Sequence, residues 1–164
     1  LRTPLVLGRS WLLGFCTIGS NLGDKNAYIE NGIEELRQSK EIKDVRVSEL
    51  LVTKPYGGVE QDDFVNGAIA LKTMLSPQEL LERLHEIEQH ANRERIIHWG
   101  PRTLDLDIIF YDKLVYEDED LIIPHIDMQN RDFVLKPLAE LCPNYRHPVL
   151  GKTVSQLLGE LKER

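Results

Sequence analysis

A strand with two acidic residues on the same face is the feature that most restricts how this chain can fold. The residues from Leu104 to Tyr111 follow a period of two, which places Asp105 and Asp107 on one side of a β-strand. Same-face neighbours on a strand lie roughly 6.5–7 Å apart at their Cα atoms, so both carboxylates can reach a shared divalent cation. The strand therefore predicts a metal site, and Arg102 in a Gly-Pro-Arg corner just upstream favours phosphate chemistry.

Composition favours one globular domain and argues against several functions. The 164 residues are 41% hydrophobic and 29% charged, which suits a single domain with a proper core. A net charge of −7 argues against a protein that coats nucleic acid. No apolar run approaches the ~20 residues that cross a bilayer, so no membrane span is expected. Cys16 and Cys142 lack metal-ligand spacing, which predicts reduced thiols in a cytoplasmic protein.

The order of the predicted elements indicates an α+β fold. Residues 1–13 are interpreted as an N-terminal tail or linker, and residues 14–164 as the functional domain. Hydrophobic periodicity predicts strands near 14–18, 45–52, 64–72 and 104–111, and helices over 25–37, 77–91, 134–141 and 154–161. Pro137 is expected to interrupt the third helix. We therefore expect a ferredoxin-like split βαβ sheet with additional C-terminal helices, its two main helices on one face and a ligand on the other.

Three polar side chains each allow a structural and a functional interpretation. Asn66 interrupts an apolar strand, where its amide can either satisfy neighbouring backbone groups or read the edge of a heterocycle. Glu88 lies at the border of a buried helix stripe, where a lone carboxylate is usually solvated. His125 lacks metal-ligand spacing, but with Arg131 six residues later it can add a site for an anion.

A basic segment precedes the acidic strand. Residues 92–102 carry three arginines, a histidine and a tryptophan with little periodicity, which predicts a loop. Runs of charge are usually solvated, but these arginines lie close in sequence to Asp105 and Asp107, where a bound triphosphate needs its charge neutralised. The segment is therefore either a solvated face or part of a phosphate site.

Several short motifs, in their order along the chain, resemble one family: the 6-hydroxymethyl-7,8-dihydropterin pyrophosphokinases of folate biosynthesis. The resemblance covers the chain from about Gly14 to its end, and the nine-residue WGPRTLDLD makes it specific. The motifs are Gly19-Ser20-Asn21-Leu22-Gly23, Thr53-x-Pro55-x-Gly57, Phe64-Val65-Asn66, Arg93-x-Arg95, WGPRTLDLDI from Trp99 to Ile108, Pro124-His125, and Arg131-x-Phe133-Val134-Leu135.

The resemblance implies an enzyme that transfers a pyrophosphoryl group from ATP to the hydroxymethyl oxygen of the pterin, with AMP as the second product. It implies that Asp105 and Asp107 hold two Mg²⁺ ions. Arg93 and Arg102 would join these two aspartates as catalytic residues by stabilising charge on the transferring group. The ATP-binding residues that it implies are Glu88, Arg95, Trp99, Arg102, the backbone near Ile108, His125 and Arg131.

The resemblance also implies how the pterin is held. Phe64 and Phe133 would lie on either face of the ring. Asn66 would read the ring edge, together with the backbone around Thr53 and Tyr56. Asp105 would also belong to this site, because its metal orients the substrate hydroxyl. The resemblance thus favours the functional interpretation of Asn66.

Two other functions are compatible with the same features. A nucleotidyltransferase with a ferredoxin-like palm also offers paired carboxylates to two metals, and a non-enzymatic regulatory module could bind a small molecule on this scaffold. The expected partners are ATP and the reduced pterin, with no nucleic acid and no membrane. Because the sequence starts at Leu1 with a linker-like stretch, we also expect a covalent fusion to an upstream dihydroneopterin aldolase domain, as in some members of the family.

Overall fold

An antiparallel sheet with helices packed on both faces forms the part of the chain that the computed structural model describes, residues 9–54, 63–92 and 103–164. The strands are β1 (Leu12–Ser20), β2 (Ile42–Val47), β3 (Leu51–Thr53), β4 (Phe64–Thr73), β5 (Asp105–Tyr111), β6 (Tyr116–Glu117) and β7 (Ile122–Ile123). The helices are α1 (Lys25–Gln38), α2 (Pro77–Asn92), α3 (Asp132–Leu141) and α4 (Val154–Glu163), with a 3-10 turn at Met128–Asn130.

The strand order confirms the predicted ferredoxin-like arrangement. The main sheet runs β2-β4-β1-β5, every pair is antiparallel, and β3 continues along β4 beyond β2. β1 and β2 are therefore parallel to each other and are separated by β4, which is the split βαβ connection that the order of elements predicts. β6 and β7 form a separate two-stranded hairpin.

Helices α1 and α2 cover one face of the sheet through the apolar stripes that the sequence predicts. Ile29, Ile33 and Leu36 of α1 are buried in one cluster with the strand residues Ile18 and Ile108. The stripe of α2, at positions 80, 84 and 87, joins the same cluster. Burying one such aliphatic side chain contributes about 1.5–3 kcal/mol. The apolar stripes therefore determine which side of each helix faces the sheet.

The start of α2 also follows its sequence signal. The Ser76 Oγ accepts a 3.1 Å hydrogen bond from the Glu79 backbone N–H, and Glu79 Oε1 accepts one of 2.8 Å from the Ser76 N–H. This is the reciprocal capping box expected for a serine followed three residues later by glutamate. It satisfies two donors that a helix start otherwise leaves unpaired.

The opposite face of the sheet is half covered by the additional C-terminal helices, whose position the sequence did not predict. Phe15 and Phe110 point to this second face and pack with Val134, Leu138 and Leu157 from α3 and α4 in a separate apolar cluster. The two C-terminal helices thus cover one end of the face. The other end carries Asp105 and Asp107, both of which are exposed.

Helix α3 continues through Pro137, so the predicted interruption is wrong. The helix runs without a break from Asp132 to Leu141, with Pro137 inside it. A proline within a helix removes one backbone hydrogen bond and usually bends or ends the helix. Here Pro137 is itself buried beside Val134 and Leu138. Apolar packing on the sheet therefore compensates for the lost hydrogen bond, a contribution that local sequence patterns do not reveal.

The first strand begins slightly earlier than the sequence predicts. β1 begins at Leu12, and Arg9 makes a 3.1 Å ion pair with Glu79 at the start of α2. The loop after β1 is a turn that ends in a helix cap, because Gly23 has a φ of 68° and the Asp24 carboxylate accepts the Ala27 N–H at 3.2 Å.

Among the residues that the structure describes, no helix is long and apolar enough to cross a bilayer.

His147 makes the stability of this fold depend on pH. The ring is buried, and its Nδ1 accepts hydrogen bonds from the backbone N–H groups of Val149 and Leu150, at 3.1 and 3.0 Å. Burial lowers the pKa of His147 below its ordinary value of 6.5. The unfolded chain therefore binds a proton at this residue at a higher pH than the folded chain does.

We expect this difference to lower the free energy of unfolding as the pH falls below about 6.5, until the folded pKa is passed. The variant His147→Asn keeps an acceptor near the Nδ1 position but does not titrate, so its denaturation midpoint should vary less over that range. His85→Asn, at an exposed position on α2, is the matched control. Equal pH profiles for wild type and His147→Asn would contradict the prediction.

Candidate active site

One row of residues crosses the sheet at its open end. Asn66 of β4 lies opposite Gly19 of β1. On its other side, Gly19 lies opposite Asp105 of β5. Residues directly opposite each other point to the same face of a sheet, and adjacent strands are about 4.8 Å apart. The amide of Asn66 and the carboxylate of Asp105 therefore share a face, about 10 Å apart at the backbone, with no side chain on Gly19 between them.

Asp105 and Asp107 have the arrangement that the alternating sequence predicts. Both are exposed, and the side chain of Leu106 between them is buried on the other face of the sheet. Asp107 lies opposite Thr17 of β1, one row further along from Asp105. The register with β1, the central strand of the sheet, thus holds both carboxylates on the face that carries Asn66.

The chemistry of this pair suits a magnesium ion. Carboxylate oxygens are hard ligands, and Mg²⁺ is commonly bound by one or two protein carboxylates while water and phosphate oxygens complete its shell. Within residues 9–54, 63–92 and 103–164, no group of three or more His, Cys, Asp or Glu side chains is placed to hold a metal. Two carboxylates alone match an ion whose remaining ligands are phosphate oxygens and water.

The Asp107 carboxylate affects the pKa of a buried thiol in the core. Cys16 is buried in β1, opposite Ile108. Burial, with a smaller contribution from the nearby Asp107 carboxylate, raises the pKa of the Cys16 thiol to about 12. This thiol is therefore protonated at neutral pH and acts as a small apolar side chain. The reduced, structural role expected for Cys16 agrees with this environment.

Glu88 holds the backbone between the two aspartates. It is buried in α2, and its Oε2 accepts a 2.8 Å hydrogen bond from the backbone N–H of Leu106. β5 is the last strand of the sheet order, so this carboxylate takes the place of a neighbouring strand as an acceptor. The expectation of a solvated carboxylate was wrong, because the helix stripe is wide enough to bury position 88 against β5.

A polar and aromatic patch continues from Asn66 along the same face. The Asn66 Nδ2 donates a 3.4 Å hydrogen bond to the Thr53 Oγ1 of β3. Thr53 lies opposite Phe64, which is half-buried two residues before Asn66. A methyl group built on Gly19 would lie only 2.5 Å from the Asn66 Oδ1. The structure thus places an aromatic ring, an amide and a hydroxyl together, with the amide oxygen over the bare Cα of Gly19.

Three further predicted site residues follow β7. His125 is tied to β5 by a 3.0 Å hydrogen bond from its backbone N–H to the Ile109 carbonyl oxygen. Its Nδ1 is buried and has no hydrogen-bond partner in the described part of the chain. The Arg131 guanidinium lies 5.8 Å from the ring centre of Phe133, at the start of α3. The Nε of Arg131 donates to an Asp127 carboxylate oxygen at 3.2 Å, which leaves its terminal nitrogens for an anion.

Asp127 binds Arg131 through its ionised carboxylate. Its other oxygen accepts a 2.8 Å hydrogen bond from the Asn130 amide. The bonds from Asn130 and Arg131 lower the pKa of Asp127 below its ordinary value. Both partners of the ion pair are close to half exposed, so solvent screens their attraction, and the main effect of the pair is on the direction of the arginine side chain.

The outcome for the remaining predicted residues differs from one to the next. The side chain of Ile108 is buried with the α1 and α2 cluster, so only its backbone can contact a ligand, as the resemblance implies. Tyr56, Arg93, Arg95, Trp99 and Arg102 lie outside the described residues. The motif that contains Gly19 was recognised in the sequence, but its place between Asn66 and Asp105 was not predicted, because it depends on the strand register.

Comparison with known proteins gives the family. A family model described as 7,8-dihydro-6-hydroxymethylpterin-pyrophosphokinase (HPPK) matches residues 15–143. The 2-amino-4-hydroxy-6-hydroxymethyldihydropteridine pyrophosphokinase of Bacillus subtilis is 42% identical over 130 residues, which are 79% of this chain and 78% of that protein. The bifunctional protein FolKE of Lactococcus lactis is 46% identical over 82% of this chain, and this chain spans 40% of its length.

Solved structures agree on the fold. An HPPK-DHPS structure from Plasmodium falciparum superposes with a TM-score of 0.77 over 98% of this chain and 46% of that chain, at 16% sequence identity. That likeness supports the architecture alone. With a family model over residues 15–143 and a relative that is 42% identical over 78% of its own length, the chain belongs to the 7,8-dihydro-6-hydroxymethylpterin-pyrophosphokinase family.

Proposed function

We propose that this chain transfers the pyrophosphoryl group of ATP to the hydroxymethyl oxygen of 6-hydroxymethyl-7,8-dihydropterin and releases AMP. The row of Asn66, Gly19 and Asp105 on one sheet face carries the proposal, because it puts an amide suited to a heterocycle beside carboxylates suited to a phosphate-bound metal. In the reaction, the hydroxymethyl oxygen bonds to the β-phosphorus. The bond from that phosphorus to the oxygen bridging the α- and β-phosphates breaks, AMP keeps the bridging oxygen, and the hydroxyl proton is released.

Asp105 and Asp107 are the proposed ligands of two Mg²⁺ ions. Such ions, when bound, neutralise phosphate charge and hold the reacting oxygens in line. The two exposed carboxylates on one face of β5 support this assignment. Glu88 of α2 supports the same site, because the hydrogen bond that it accepts from the Leu106 N–H fixes the backbone that carries both aspartates.

The nucleotide is proposed to lie between the acidic strand and the segment after β7. Arg131 has terminal nitrogens suited to phosphate oxygens, and its direction is set by Asp127. The backbone of His125 is held against β5, its ring is a proposed contact of the phosphates, and the backbone at Ile108 is a further proposed contact. Arg93, Arg95, Trp99 and Arg102 stay predictions for the same ligand, with Arg93 and Arg102 stabilising charge on the transferring group.

The pterin is proposed to lie over Gly19, between the two aromatic side chains. Phe64 and Phe133 are half-buried, so each keeps ring surface for stacking. The Asn66 amide has one donor hydrogen on Thr53, which leaves its second N–H and its oxygen for the ring edge. Tyr56 stays a predicted backbone contact. A ligand that fails to pair with this amide would leave buried polar groups unsatisfied, so discrimination between heterocycles should be steep.

The reaction is tested by product analysis with purified protein. With ATP, Mg²⁺ and the reduced pterin, we expect AMP and the pterin diphosphate in equal amounts, and no AMP when the pterin is left out. A chelator added in excess should abolish AMP formation. Release of pyrophosphate with a nucleotidylated product would support a nucleotidyltransferase instead, and binding of both ligands without turnover would support a regulatory module.

The predicted fusion to a dihydroneopterin aldolase is a separate proposal. Its support is that relatives such as FolKE are bifunctional and much longer than this chain. The reading frame that encodes this sequence tests it directly. A frame that continues upstream into an aldolase sequence would confirm the fusion, and a start codon within the first thirteen residues would contradict it.

A further inference from the structure

We infer that Gly19 is a positioning residue for substrate recognition: the absence of a side chain there keeps the Asn66 carboxamide in the orientation that reads the pterin edge. The inference rests on the proposed function, since it concerns the heterocycle of that reaction. It assigns to Gly19 a role that differs from the usual role of glycine in turns.

The backbone at Gly19 does not require glycine. Gly19 lies within β1, paired on both sides with β4 and β5, and its φ is not in the left-handed region, in contrast to Gly23 with a φ of 68°. Any L-residue can adopt this extended backbone. Glycine inside a strand is also unfavourable by roughly 0.5–1 kcal/mol relative to alanine. The reason for glycine at this position must therefore be space.

The space is taken by one specific group. A Cβ atom on Gly19 would lie 2.5 Å from the Asn66 Oδ1, whereas the next group, the backbone oxygen of Val65, is at 3.5 Å. Only the amide oxygen is closer than van der Waals contact allows. That oxygen therefore occupies the place that a side chain on Gly19 would take.

The other end of the same amide is also held. The Asn66 Nδ2 donates to the Thr53 Oγ1 at 3.4 Å, so the amide nitrogen is directed toward β3 and the amide oxygen toward β1. Thr53 and Gly19 together set which side of the carboxamide presents the donor and which the acceptor. A methyl group at position 19 would push the oxygen away and lengthen the bond to Thr53.

We expect Gly19→Ala to raise the KM for the pterin about tenfold or more, the effect of losing one well-formed hydrogen bond to a polar ligand. The dissociation constant for Mg-ATP, measured without pterin, should stay within twofold of wild type. Gly14→Ala is the matched control in the same strand. Its added methyl would meet the flexible Leu71 Cδ1 at 3.2 Å on the opposite face, so its pterin KM should stay close to that of wild type.

A double-mutant comparison separates action through Asn66 from a direct clash with the ligand. Asn66→Ala alone should raise the pterin KM, and adding Gly19→Ala to that variant should raise it no further, because the group that the methyl displaces is gone. A further increase in the double variant, or an unchanged pterin KM in Gly19→Ala, would overturn the inference.

The proposed function is tested separately by wild-type turnover in the same assay. A wild type without AMP formation would refute the function, whereas an active wild type with an indifferent Gly19→Ala would refute only the inference. If Gly19→Ala does not fold, recovery of a cooperative thermal transition in the double variant would support the clash with the amide. A double variant that also fails to fold would show that the methyl meets something else, and would overturn the inference.

Discussion

Replacing Asp105 or Asp107 with asparagine should lower kcat by about 10³-fold or more, because groups that neutralise charge on a transferring phosphoryl group contribute factors of 10³–10⁵. Asparagine has nearly the same shape as aspartate but carries no charge, so it holds a hard divalent cation poorly. Both side chains are exposed, and the substitution removes no buried apolar surface. The thermal transition should therefore stay within a few degrees of wild type.

Steady-state kinetics and a magnesium titration check this prediction. Each variant should need a higher Mg²⁺ concentration for half-maximal rate, in addition to its lower kcat. Asp112→Asn is the matched control, since Asp112 follows β5 directly and its φ of 47° is one that asparagine also tolerates. A pair of aspartate variants with rates within tenfold of wild type would remove the carboxylates from the proposed chemistry.

The second large effect is expected at Glu88. In Glu88→Leu, the buried N–H of Leu106 loses its acceptor, which should lower the free energy of unfolding by about 1–3 kcal/mol. The same change frees the backbone between Asp105 and Asp107, and we expect kcat to fall about 10–100-fold, the usual cost of losing a group that orients metal ligands. Glu88→Gln keeps an amide oxygen as acceptor and should recover most of both losses.

Chemical denaturation without ligands, together with kcat and the KM for ATP, tests this role. A residue that acts through the backbone of β5 changes stability even when no nucleotide is present, and Glu88→Gln restores it. Glu86→Gln is the control, because Glu86 is exposed on the same helix and pairs with Arg83 at its surface. If Glu88→Leu instead raised only the KM for ATP at unchanged stability, Glu88 would be a direct nucleotide contact.

Local patterns predicted most of the elements of this fold. The apolar residues of α1 and α2 recur at helical spacing, Ser76 and Glu79 form a capping box, and the alternation in β5 places its two aspartates on one face. These features depend on neighbours within about four residues along the chain, which is the range over which backbone geometry and side-chain period are coupled. Pro137 was mispredicted because packing on the sheet outweighs its local preference.

The candidate site was predicted in part. The sequence by itself determined the strand, the carboxylate pair and the motifs that point to the family, and therefore the kind of chemistry. Only the tertiary structure decided that Asn66 and Asp105 lie on either side of Gly19, and that Glu88 is buried against Leu106. These contacts join residues that are far apart in the chain, and strand register and helix packing bring them together. Register depends on how whole faces bury their apolar side chains, so no single stretch of sequence contains it.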